Sequence, residues 1–346
     1  MEWRSLPVDL QEDIISRVPA KSLVRLQLTS KQWKALLKTG SLAKNHCANA
    51  PKESLIIMLI DYRLHLVKIN LHGIHNDTAP SVQFYLKDPS SKSSQVDIRE
   101  TKWIKPRNSY KESDLWAFGY HNKFSCKQYK VLRMDRQRHY YGINIEYEIY
   151  DFTSNSWSVL VVTTDWSINL SRRGVSVKGN TYFVAQDRIS DQEGETYPKF
   201  LQSFDFTTDI FESLSLPQPF PYVYTALSVV GEEKIALLGY LNKDTLSTDL
   251  HVWVTTSIGT VMSWSKLVTV QSFHDERLYN FSGISFLADE HNKIVACFKR
   301  YWTPNTTIYF LGENKHVQVD LHGGNCTPGS SYSLLMNYVP SFAQIQ

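Results

Sequence analysis

Between residues 114 and 321 one pattern of chain recurs, and it limits the fold more than any other feature. One kind of segment is an apolar strand, a polar turn and a second apolar strand: GVSVKGNTYFVA (174–185), ALSVVGEEKIALLGY (226–240) and GISFLADEHNKIVACFKR (283–300). Lys178-Gly179-Asn180 and Gly231-Glu232-Glu233 supply its turn chemistry. A second kind follows each of these, an aromatic strand, a polar turn and a closing strand: YEIYDFTSNSWSVL (147–160), LQSFDFTTDIFESL (201–214), LHVWVTTSIGTVMSWSKL (250–267) and TIYFLGENKHVQVDL (307–321). Segment 114–134 supplies a first-kind partner for 147–160, and 54–71 reads as a further hairpin.

The two kinds alternate with a period of roughly 50 residues, within the range of kelch-like blades. Four strands per period predict a β-propeller, whose blades bury aromatic side chains between stacked sheets. A β-sandwich is the rival, since many short strands with regular turns fit it too. A chain of 346 residues can enclose a core of that size. Nine Trp and nineteen Tyr suit pleated surfaces.

The first forty residues have a different character. Leu10, Ile14, Ile15 and Val18 recur at helical spacing. Asp9 with Glu12 three residues on matches a capping box. Pro19 predicts the stop of this helix. Leu23 and Leu26 lie one turn apart in a second short helix, and Trp33, Leu36 and Leu37 share a stripe in a third. Three short helices enclose little core unaided, so a helical cap on the following domain is one reading of them. The first fifty residues carry eight basic against four acidic side chains, as a solvated helical face does.

The run LPVDLQEDIISRVPAKSLVRLQLTSKQWKALL (6–37) resembles the F-box, including both prolines, the Lys-Ser-Leu triplet and the Trp. Its Thr29-Ser30 departs from the Val-Cys common in that family, a small change expected to be tolerated. The resemblance implies that Leu6, Pro7, Leu10, Ile14, Ile15, Val18, Pro19, Ser22, Leu23 and Leu26 contact a Skp-type adaptor, and that Trp33 holds the module together. Such a contact is a helix-in-groove interface in which apolar anchors desolvate inside a polar rim.

The β-rich part has a family likeness as well. TKWIKPRNSYKESDLWAFGY, YKVLRM, IYDFTSNSW, VSVKGNTYFVA, SFDFTTDIF, LPQPF, ALSVVGEEKIALL and VWVTTSIG with SWSKL are similar to the plant F-box-associated interaction domain, type 1, from about Thr101 to Asp320. In that family the domain recognises the target. Members usually carry an apolar CDGLLLC-like strand and a WNP strand ahead of the Trp-Ile-x-Pro block. Here the polar, Ser-rich run DPSSKSSQVDIR (88–99) leads almost directly into that block. Either one blade is truncated or a coding segment is missing, and a propeller short of strands keeps unpaired edges.

Reaction chemistry is sparse. The chain holds no G-x-S-x-G, G-x-G-x-x-G, P-loop or H-E-x-x-H motif. His72 and His75 form the closest His pair, with no third ligand near in sequence. Asp191, Glu193 and Glu195 read as a mobile acidic loop rather than the two held carboxylates of a glycosidase. Arg133, Arg136 and Arg138 beside QRHYYG (137–142) mix basic and aromatic residues as nucleic-acid surfaces do, but a hairpin loop is the reading this short segment supports. Cys47, Cys126, Cys297 and Cys326 form no CxxC pair, so neither a disulfide framework nor a zinc site is expected. No signal peptide or membrane-spanning run is expected, which points to the cytosol or nucleus.

The expected architecture is mainly β with a small α module: a three-helix F-box over 1–48, first hairpins and the polar loop over 49–100, a kelch-like propeller with one incomplete blade over 101–322, and a tail over 323–346. The expected function is non-catalytic: a substrate receptor of a Skp–cullin–F-box ubiquitin ligase, partnered by the adaptor, through it a cullin, and an unidentified target. No cofactor, metal, nucleic acid or membrane is expected, and no target-binding residue can be named. The alternatives are a propeller scaffold with no ubiquitin role and a propeller glycoside hydrolase.

Overall fold

The computed structural model describes residues 6–18, 22, 23, 26, 29, 31, 33, 42, 55–60, 63–70, 81–84, 104–105, 107–109, 111, 114–121, 127–139, 142–162, 164–168, 173–187, 198–222, 224–231, 233–240, 249–259, 261–271, 284–300, 306–313, 315–321 and 334–338. The chain divides into two compact units, Met1–Ile56 with Asn337–Gln346, and Ile57–Met336.

In the first unit one helix is bounded, α1 (Val8–Ser16). Its N-cap is Pro7 (φ −53°, ψ 147°), with no side-chain cap, so the expected capping box on Asp9 is corrected. The helix begins one residue before Asp9 because the Pro7 carbonyl already accepts from Gln11 N at 3.0 Å. Gln11 Nε2 also reaches back to the Leu6 carbonyl at 2.8 Å. Asp9 instead sits in the first turn, where a carboxylate favours the helix dipole. The end tightens at Arg17 and Val18, whose amides bond the carbonyls of Ile14 and Ile15, ahead of Pro19. Ser22, Leu23, Leu26, Lys31, Trp33 and Leu42 are helical, while the rest of the expected second and third helices lies outside the described residues. Ile15, Leu23 and Leu42 form this unit's core, with Val18, Leu26 and Trp33 packed against it.

The β part comprises five sheets among the described residues. The first has β1 (Leu55–Ile60), β2 (Arg63–Asn70) and β3 (Ser81–Phe84), with β21 (Leu334–Tyr338) paired beside β1. Thus part of the segment expected to be a tail is a strand. The second sheet is β4 (Leu115–His121), β5 (Gln128–His139), β6 (Gly142–Asp151) and β7 (Ser156–Leu160). In the third, β8 (Trp166–Ile168) and β9 (Val175–Val177) both pair β10 (Asn180–Asp187), followed by β11 (Lys199–Asp205) and β12 (Ile210–Leu214). The fourth is β13 (Tyr224–Val230), β14 (Lys234–Tyr240), β15 (Leu250–Ser257) and β16 (Ser263–Val270). The fifth is β17 (Ser285–Asp289), β18 (Ile294–Arg300), β19 (Thr306–Leu311) and β20 (His316–Leu321). Pairing is antiparallel through sheets two to five.

Repeated turn chemistry makes these sheets alike. Asp151 Oδ1 accepts from Thr153 N, and Asp205 Oδ1 from Thr207 N, both at 2.7 Å. Each turn then passes through a left-handed residue four positions after its Asp, Asn155 (φ 54°) or Asp209 (φ 57°), a conformation these side chains tolerate. The β9–β10 turn uses Lys178 (φ 52°) and Gly179 (φ 92°), matching the twist of a two-residue hairpin.

Side-chain alternation then stacks the sheets. On β10, Phe183 and Ala185 pack with Ala117, Leu132 and Ile149 of the second sheet, whereas Tyr182 and Val184 pack with Ile235 and Leu237 of the fourth. On β14, Ala236 and Leu238 turn the other way, towards Phe286, Val295 and Cys297 of the fifth. A two-sheet sandwich buries one face of each sheet, but the third and fourth sheets bury both, which removes the sandwich rival. Backbone and polar contacts join neighbours: Tyr120 N donates to the Gly179 carbonyl at 3.1 Å, and Lys130 Nζ meets Asp209 Oδ1 at 2.8 Å. Ser228 Oγ donates to the Phe286 carbonyl at 2.5 Å, and Lys234 Nζ meets Glu290 Oε2 at 2.6 Å.

Candidate functional site

Helix α1 carries two apolar faces. Ile15 (2% exposed) turns inward to Leu23 and Leu42. Leu10 (48%) and Ile14 (45%) lie on the outside, four residues apart, in line with exposed Pro7 three residues before Leu10. Val8, 64% exposed, adjoins them. Polar groups border the stripe: Asp9 and Asp13 are exposed, and Arg17 Nη2 bonds Asp13 Oδ1 at 3.1 Å one turn away. Four apolar residues over about two turns at the start of the helix, uncovered and rimmed by charge, form a surface suited to a partner's apolar groove.

The ten residues supplied by the F-box resemblance separate by exposure. Pro7, Leu10, Ile14 and Ser22 are exposed, and Leu6, Val18 and Leu26 are half-buried. Ile15 and Leu23 are buried in the module's own core, so their side chains hold the helices together instead of facing outward. Pro19 lies outside the described residues. Val8 is not among the ten, and its place directly after Leu6-Pro7 was the available signal.

Among the described residues the remaining sequence candidates form no second site. His72, His75, Asp191, Glu193 and Glu195 lie outside the described residues. Residues 137–139 end β5 and Gly142 opens β6, with His139 paired to Gly142, in keeping with the hairpin reading. Arg133 belongs to no basic patch. Its guanidinium has no exposed surface: Nε and Nη2 bond Asp114 Oδ2 at 3.0 and 2.8 Å, and Nη1 bonds Glu148 Oε2 at 3.0 Å. Nη2 also donates to the Ser109 carbonyl at 2.9 Å, and Asp135 binds Lys111 Nζ at 2.7 Å. Among the described residues no three His, Cys, Asp or Glu side chains could hold a metal ion, and no helix is long and apolar enough to cross a membrane.

Between β12 and β13, buried Tyr222 meets the half-buried His251 and Trp253 of β15. Tyr222 Oη lies 2.7 Å from His251 Nδ1 and accepts from Trp253 Nε1 at 3.2 Å. Burial lowers the His251 pKa, with Lys266 acting in the same direction and Asp249 opposing it. Burial raises the Tyr222 pKa, against the hydrogen bond from Trp253. Buried Cys297 is pushed up to about 12 by desolvation.

Comparison with known proteins places both halves. Residues 3–44 match the F-box domain, and residues 97–345 match the F-box associated beta propeller domain. The F-box protein At3g23260 of Arabidopsis thaliana is 52% identical, with 100% of each chain covered. The F-box protein At4g10190 is 38% identical over 98% of each, and the F-box/kelch-repeat protein At3g22730 is 36% identical over 100% of this chain and 98% of that one, both from the same plant. The solved structure of YjhT aligns at a TM-score of 0.41 with 15% identity, over 82% of this chain and 87% of that one. With helix, β sheets and sequence agreeing, the chain belongs to the plant F-box proteins that carry an F-box associated β-propeller domain.

Proposed function

We propose that this protein is the substrate-recognition subunit of a Skp–cullin–F-box ubiquitin ligase, working in the cytosol or nucleus. The observation that carries the reading is the outward stripe Pro7–Leu10–Ile14 on α1, left uncovered within its own module and lying inside the F-box match. The adaptor's groove takes this stripe, Val8 and Leu6 extend it, and Ile15 and Leu23 keep the helix in position. The kelch-like β domain holds the target. No group on this chain needs to react. The receptor raises the effective concentration of a target lysine near a thioester carried by other subunits, and positioning of that kind is worth orders of magnitude in rate.

Co-purification with a Skp-type adaptor tests the proposal. The native chain should retain adaptor and cullin, and Leu6→Ala with Pro7→Ala should lose both. Leu10→Asp with Ile14→Asp should abolish capture while leaving the thermal transition within about 2 °C, because exposed positions contribute little to stability. Failure of the native chain to retain any adaptor would remove the ligase role.

A further inference from the structure

Tyr222 ties the third sheet to the fourth through its carbonyl, its ring and its hydroxyl. It ends the run 215–222 that leads from β12 to β13. Its carbonyl accepts from Lys199 Nζ of β11, in the third sheet, at 2.6 Å. Its ring lies against β14 of the fourth sheet, where a methyl group on Gly239 would run into it. Its hydroxyl meets β15 of the same sheet: Trp253 Nε1 donates to Oη at 3.2 Å, and His251 Nδ1 lies 2.7 Å away. The start of the run is held as well, since Trp264 Nε1 of β16 donates to the Ser215 carbonyl at 3.1 Å.

Counting protons at the hydroxyl leaves one arrangement. An indole N–H can only donate, so Oη accepts from Trp253. The hydroxyl keeps a hydrogen of its own, and among the described residues its acceptor is His251 Nδ1. Nδ1 therefore carries no proton, and the imidazole is neutral with its hydrogen on Nε2.

A proton added to His251 reverses this bond. Nδ1 becomes a donor, Oη then faces two donors, and the hydroxyl hydrogen loses its acceptor on a residue only 3% exposed. The new charge also meets a cation. Lys266 Nζ of β16 lies 4.9 Å from the centre of the Trp253 ring and opposes protonation of His251, whereas Asp249 on β15 favours it. Lys199 is the charged group that reaches Tyr222 from the third sheet. Gly239 and Thr269, paired to His251 on either side, bear no charge. Burial acts first and Lys266 with it, so folding holds the His251 pKa below its ordinary 6.5.

We propose that Tyr222, His251 and Trp253 form an acid-sensitive latch on the seam between the third and fourth sheets, closed while His251 is neutral and released, together with the run 215–222, when His251 takes a proton. The latch stands apart from adaptor binding, since it is built from contacts inside the β domain. Its sign follows from the lowered pKa: it is whole above about pH 6.5 and fails as pH falls through the native value.

A tautomer measurement and an exchange measurement test it. In a chain carrying isotope-labelled histidine at about pH 8, proton–nitrogen correlation should show His251 with its hydrogen on Nε2, the signal being assigned by its loss in His251→Gln. A hydrogen on Nδ1 overturns the latch. Hydrogen exchange then reads the seam. Protection of the amides of Leu216, Gln218, Phe220 and Tyr222, corrected for intrinsic exchange, should fall at least about threefold from about pH 8 to about pH 5, while β4–β7 keep theirs. His251→Gln, whose side-chain carbonyl still accepts from Tyr222 but does not titrate, should keep the run protected at both pH values. Tyr222→Phe should leave it equally unprotected at both, with the circular dichroism retained. Protection that ignores pH in the native chain, a fall shared equally by the second sheet, or the same fall in His251→Gln overturns the latch.

Discussion

A guanidinium with no exposed surface is held in the second sheet by carboxylates on both sides. Arg133 spends three donor groups on Asp114, Glu148 and the Ser109 carbonyl, and lies 3.6 Å from Asp135 Oδ2 as well. Removing the cation strands buried carboxylates, a loss larger than that of the pair's net attraction. Arg133→Met is therefore expected to destabilise by about 3–5 kcal/mol in urea unfolding, and Arg133→Lys should restore little, since an ammonium cannot serve both carboxylates with fork geometry. His251 acts on stability with pH. Folding lowers its pKa from the ordinary 6.5 through burial first and Lys266 second, so the unfolded chain takes up the proton more readily. Its contribution is whole above about pH 6.5 and is lost as pH falls through the native pKa. Melting temperature measured from pH 8 to pH 5 should decline below about 6.5, and less steeply for His251→Gln.

At the scale of elements, the hairpins were legible because each combines period-two alternation with a turn that only certain residues can make. Lys178-Gly179 and Asp151-Phe-Thr are visible in the chain and take left-handed or side-chain-bonded turns in the fold. The cap of α1 lies two residues before the one the sequence suggests, since Asp9 is a better cap by type than Pro7, and only the Gln11 bonds to Leu6 and Pro7 settle the choice. Nor could sequence order Ile14 and Ile15. Both are apolar and adjacent, helical geometry sends them to different sides, and the core partner Leu42 that claims Ile15 lies far along the chain. Packing between sheets is equally invisible locally. A methyl group on Gly119 would meet the Phe206 ring and the Gly179 carbonyl oxygen of the third sheet. Gly119→Ala should cost about 1–3 kcal/mol in chemical unfolding, because the colliding oxygen is backbone and cannot rotate away.

For the whole molecule, the repeat announced the β architecture, but pairing between distant segments carried no local mark. The expected tail holds β21, which lies beside β1 although more than 270 residues separate them. Its sequence, LLMNY, has no turn partner nearby to identify it as a strand. Deleting Leu334–Tyr338 should leave β1 as a bare edge. The expected outcome is a melting temperature lower by at least about 5 °C, with aggregation on heating seen by light scattering. A variant as stable and soluble as the native chain would show that this pairing carries no weight.

That pairing has a consequence for biosynthesis. At ribosomal rates of about 5–20 residues per second, β1 emerges on the order of tens of seconds before β21 is made. During that interval the nascent polypeptide presents an unzipped, apolar ribbon LIIMLI to the crowded cell. Production of this protein should therefore depend on chaperone capacity more than its modest size suggests.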